Sequence, residues 1–168
     1  METNYFADLF LAISSYLKTA IPEVRFIDAD LGQLDNYELR PAVTFPCILI
    51  DFAQATYTDL GHPSQLGEVV ISIRLAVSPF SASNILAPLS VREKAVSYFT
   101  IEQKIFIALS GFYTAYTTPL SRTAVSTELR QDDTIRVRNI TFTTSYQDDT
   151  AQPNRTAYAA PLDLEIEN

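Results

Sequence analysis

The side chains that could do chemistry are few in this chain and poorly paired. Nucleophilic catalysis needs a base beside a Ser, Thr or Cys, and the one histidine in 168 residues, His62, sits in a Gly61-His62-Pro63 turn, the setting of a solvent-facing residue. Carboxylates offer more: Asp28 and Asp30 follow one short apolar run and Asp51 follows another. Paired acids suit hydrolysis or cation binding, yet acids at strand ends also simply face water, and none of the three has a candidate partner base. Asp132 and Asp133 lie in a Gln131-Asp132-Asp133-Thr134 turn, where short polar side chains close the backbone; the Gly and closing Glu of an EF-hand are missing. There is no GxGxxG, P-loop, HExxH or GxSxG pattern, so no cofactor, nucleotide or metal site is expected, and the chain is not expected to be an enzyme.

Charge narrows the partners. The formal net charge is −8, but residues 1–60 carry nine acids and three bases, 61–147 six and eight, and 148–168 five and one. An acidic chain of this kind is a poor binder of nucleic acid, which relies on clustered Lys and Arg. Nine of the twelve bases are Arg, the cation enriched at protein interfaces. Arg122, Arg130, Arg136 and Arg138 flank one hairpin, with 136 and 138 on one face; this is either a solvated basic face or a contact surface for an acidic neighbour. Met1-Glu2-Thr3-Asn4 lacks a cationic leader and no apolar run approaches a membrane span of about 18 residues, so a soluble cytoplasmic product with no membrane partner is expected. The single cysteine, Cys47, stands in Cys47-Ile48-Leu49-Ile50 and reads as a buried small hydrophobe.

The elements that must position these residues follow from periodicity. Tyr5, Phe6, Leu9, Phe10, Ile13, Tyr16 and Leu17 recur at helical spacing, predicting an amphipathic helix over 4–20 capped by Thr3 or Asn4 and closed before Pro22. A short strand over 24–28, a long loop over 29–45 and a buried strand from Pro46 follow. Val69, Ile71, Ile73, Leu75 and Val77 alternate with polar residues, the pattern of a half-buried antiparallel strand. Ser90-Val91-Arg92-Glu93 matches a capping box for a central helix that Gly111 ends at C′. Residues 122–130 and 135–146 make a polar hairpin, whose second strand changes phase at Asn139-Ile140 and so predicts a bulge or a strand that leaves the sheet. The whole reads as α+β: an antiparallel or mixed sheet packed by two main helices, with an extended hairpin, one domain over 1–147 and a flexible acidic tail over 148–168. Leu162, Leu164 and Ile166 alternate with acids in that tail, a strand pattern on a leash.

This order resembles the tail terminator (tail completion) and neck proteins of tailed bacteriophages. The residues that carry the likeness are the helix over 5–17, the strand Gly67-Glu68-Val69-Val70-Ile71-Ser72-Ile73, the helix over 93–109, and the strand from Asp133-Thr134-Ile135 to Phe142. The resemblance implies a virion protein, assembled in the host cytoplasm, whose copies form a hexameric ring that ends the tail tube and joins it to the neck. It implies no catalytic residues and no cofactor. A head-closure or other connector ring reads almost the same, and a small ligand-binding module using Tyr113 and Tyr116 is the rival from another class. The expected contact residues are Arg122, Arg130, Asp132, Asp133, Arg136, Arg138, Leu162, Leu164 and Ile166, and reversing Arg136 and Arg138 is expected to weaken assembly while sparing the fold.

Overall fold

The computed structural model describes residues 4–35, 43–61, 63–78, 82–129 and 135–152. Helix α1 (Tyr5–Ala20) starts where the Asn4 side chain accepts the Ala7 N–H at 3.1 Å, and it buries Leu9, Ile13 and Leu17 along one stripe. Strand β1 (Phe26–Ala29) then lies parallel to β2 (Cys47–Asp59), and β3 (Gln65–Val77) returns antiparallel to β2. After two helices, β4 (Ser121–Glu128) and β5 (Arg136–Asp148) complete a mixed sheet in the order β1-β2-β3-β5-β4. The sheet and helix packing are those expected of an α+β chain. One helix face and one sheet face each need cover, and they cover each other.

The helical layer buries the odd positions of β3 (Val69, Ile71, Ile73, Leu75) with Ile140, Phe142 and Tyr146 of β5. A second, smaller cluster lies on the other face, where Leu34, Val43 and Phe45 meet Cys47, Leu49, Ala76 and Val137. That second cluster corrects the reading of β5. Its pairing to β3 runs unbroken from Gln65↔Asp148 to Val77↔Arg136, so there is no bulge at Asn139 and no departure from the sheet. The apolar phase changes because Val137 and Ile140 are each buried, on opposite faces. Register does slip elsewhere, between Phe52 and Gln54 on β2 and between Arg122 and Ala124 on β4.

The expected central helix is two helices. α2 (Leu89–Val96) begins after Pro88 with no side-chain cap, so Ser90 and Glu93 lie inside its first turns and the capping box does not form. At Ser97 both the N–H (3.4 Å) and the hydroxyl (2.9 Å) bond back to the Lys94 carbonyl, the side-chain competition that breaks helices at serine, and α3 (Tyr98–Leu109) starts anew. α2 buries no residue; Ile101, Ile105 and Leu109 of α3 fill the core. Gly111, at φ +79°, follows the helix end, and its N–H reaches the Leu120 carbonyl at 2.9 Å, tying α3 to the approach of β4.

Candidate assembly surface

Of the carboxylates that the sequence offers for chemistry, Asp30 and Asp28 are tied into the fold. Asp30 closes the end of β1: its Oδ1 accepts the Gly32 N–H at 2.9 Å and its Oδ2 pairs with Arg74 Nη1 at 2.7 Å. Arg74, on the polar face of β3, also holds Glu128 through both oxygens at 2.7 Å and Asp35 at 3.2 Å. Burial works against the guanidinium charge, and the bonds from Glu128, Asp30 and Asp35 outweigh it, so its proton is held more tightly than in free arginine. One cation thus fastens the chain after β1 and the end of β4 onto the middle of the sheet. Asp28 Oδ1 accepts the Ala29 N–H at 2.8 Å, and Asp51 is exposed across from Ser72. Among the described residues no group of three His, Cys, Asp or Glu could hold a metal, and His62 lies outside them. Burial pushes the Cys47 thiol up to about 12.

An open groove of about 460 Å³ crosses the other face of the sheet between Gln54, Glu68, Thr118 and Ser145, with Glu68 its one ionisable side chain. It holds no nucleophile with a base. Of the two tyrosines nominated for a ligand platform, Tyr116 packs edge-on against Tyr5 at 5.2 Å within the core's tyrosine cluster, while Tyr113 is exposed.

The hairpin arginines are gathered on the helical side, against a stripe of α3. Arg122 lies 3.7 Å over the Phe106 ring, Arg138 5.6 Å from Phe99 and Arg136 5.7 Å from Tyr98. Arg138 also clamps Glu102 with Nε at 2.6 Å and Nη2 at 3.2 Å, both side chains being largely buried, and its Nη1 donates to Thr127 on β4. The result is a partly exposed band of Arg and aromatic side chains, the composition that concentrates binding energy at protein contacts. Phe99 and Phe106 are apolar residues at helical spacing, which alone suggests only packing. Their spacing with Glu102 (i, i+3, i+7) beside alternate arginines was the signal for this second role. Because Arg138 is paired inside the subunit, its reversal would set two carboxylates together and strain the fold, unlike a change at Arg136. Arg130, Asp132, Asp133, Leu162, Leu164 and Ile166 lie outside the described residues.

No protein-family model matches the chain, and no curated protein matches it. Among solved structures, a chain of "Virion of native gene transfer agent (GTA) particle" aligns over 87% of this chain and 100% of that chain, at 12% identity and a TM-score of 0.43. That is a distant likeness to a virion chain.

Proposed function

We propose that this chain is a structural virion subunit whose copies close into a ring, hexameric by the resemblance, that terminates a phage tail tube and joins it to the neck. The observation that carries the reading is the element order, helix, two strands, long alternating strand, helices and polar hairpin, on which the resemblance rests. Two further features support it. Arg74 and Arg138 are paired within the subunit, with Asp30 and Glu128 and with Glu102, and serve to hold the sheet and helices together. Apolar side chains that a solitary monomer would cover stay in water before and along α2, with Ile85 78%, Leu86 92% and Leu89 62% exposed. The partners are then other copies of itself and the tube and neck proteins, with no cofactor, and the protein resides in the virion after assembly in the host cytoplasm.

Light scattering is the first test: a particle near six times the 18.8 kDa chain is expected, alone or with purified tail tubes. Incubation with tubes and, separately, with tail-less capsids then distinguishes a tail terminator from a head-closure ring. A protein that stays monomeric at tens of micromolar with both partners refutes the proposal.

A further inference from the structure

We propose that the outer edge of β4 takes up the C-terminal segment 162–167 of a neighbouring copy as a sixth strand. This rests on the ring reading, for it supplies the contact between successive subunits, a head-to-tail one that closes when the rotation allows.

The two edges of the sheet are built differently. β1 is four residues long, carries Asp28 and is flanked by Arg25 and Asp30, the short charged edge that discourages pairing. β4 is eight residues long, six of them exposed, and no described strand pairs with its outer side. Residues 124–127 of β4 are Ala-Val-Ser-Thr, with no charge and no proline, and they follow the register slip between Arg122 and Ala124 in regular pairing with β5. Nothing along those four residues resists an incoming strand, and two of them are the β-branched types that strands favour.

Charge and reach identify the occupant. On the helical side of the β4 edge stand Arg122, Arg136 and Arg138, the last reaching over β4 to Thr127, against the one acid Glu102. Segment 162–167 places Asp163, Glu165 and Glu167 on one face and Leu162, Leu164 and Ile166 on the other, so its acidic face matches that basic side. Nine residues lie between Gln152, the last described, and Leu162, ten chain steps that span about 35 Å when extended, enough to pass the subunit's own sheet edge and meet a neighbour's.

The test uses full-length protein carrying either Ser126→Cys or Leu164→Cys, mixed in equal amounts under mild oxidation; Cys47 is buried and stays silent. The mixture is expected to give a disulfide-linked dimer that neither variant gives alone. The variant bearing both changes is expected to give a ladder of multimers. Adding Arg122→Glu and Arg136→Glu should cut the cross-linked yield several-fold, and truncation after Gln152 should turn rings into monomers. Rings of normal mass without any cross-link overturn the strand exchange and leave the ring reading standing. A bond formed only within one chain of the double variant overturns it in favour of self-pairing. Monomers under every condition overturn both.

Discussion

Replacing Arg74 with alanine is expected to cost about 3 kcal/mol of folding stability. The magnitude follows from exposure. The Arg74 and Asp30 side chains are 12% and 10% exposed, Glu128 28% and Asp35 56%. Breaking a buried pair by removing one partner costs about 3–5 kcal/mol, while an exposed partner such as Asp35 accounts for less than about 1. Glu128, freed, can turn toward water and recover part of its hydration. Asp30 cannot, because the Gly32 N–H and its burial hold it in place, so the lower end of the range applies. Three kcal/mol is more than a hundredfold in the folded-to-unfolded ratio. With a urea slope of about 2 kcal/mol/M, the midpoint moves down by about 1.5 M.

Urea titration followed by circular dichroism measures that shift, and one control sharpens it. Converting the network together, Asp30→Asn, Arg74→Met and Glu128→Gln, should recover most of the loss, since the cost lies in stranded charge more than in missing attraction. A loss below about 1 kcal/mol for Arg74→Ala, or a triple variant no better than the single, refutes the account of Arg74 as a buried clamp.

Three further outcomes are expected. A Cβ at Gly67 would stand 2.8 Å from Tyr146 Cε1 and 3.1 Å from Tyr57 Cε1, in a packed ring cluster, so Gly67→Ala should cost about 1–3 kcal/mol by chemical denaturation. Burial, then the 2.9 Å bond to the Tyr57 hydroxyl, raise the Tyr146 phenol above the ordinary tyrosine range. Its contribution is therefore complete below about pH 10 and lost as pH rises beyond it, at up to about 1.4 kcal/mol per unit, and Tyr146→Phe should flatten that decline in thermal melts. The Cys47 thiol, buried and raised to about 12, should resist a thiol reagent at pH 8 in the native protein and react at once in urea; fast native labelling would contradict its place in the core.

The parts of the fold legible in the sequence are those in which one face decides the pattern. Val69 to Val77 alternate because only their odd side meets the helices, and Leu9, Ile13 and Leu17 recur because α1 has a single buried stripe. Legibility fails where two faces are covered at once. Val137 is buried by Leu34, Val43 and Phe45, which lie about a hundred residues earlier in the chain, and no pattern within β5 can announce that cover. The capping box fails for a local reason, since the helix begins at Pro88 ahead of Ser90. The Arg74 clamp was out of reach because its partners Asp30 and Glu128 lie 44 and 54 residues away, and a lone arginine on the polar side of a strand looks solvated until the strand order is known.

The same distinction separates arginines that hold the subunit together from those suited to a neighbour. Arg74 and Arg138 already sit against carboxylates, so a new acidic partner would have to compete with an existing pair. The described contacts of Arg122 and Arg136 are aromatic faces, Phe106 and Tyr98, worth about 0.5–1 kcal/mol each at an exposed site and leaving their charge uncompensated. A ring under a guanidinium also restrains a side chain that would otherwise lose about 2 kcal/mol of rotamer freedom on binding. An acidic strand arriving at β4 would therefore meet cations already held in position. Reversing Arg122 and Arg136 should consequently disturb association far more than folding, whereas reversing Arg138 should disturb folding first.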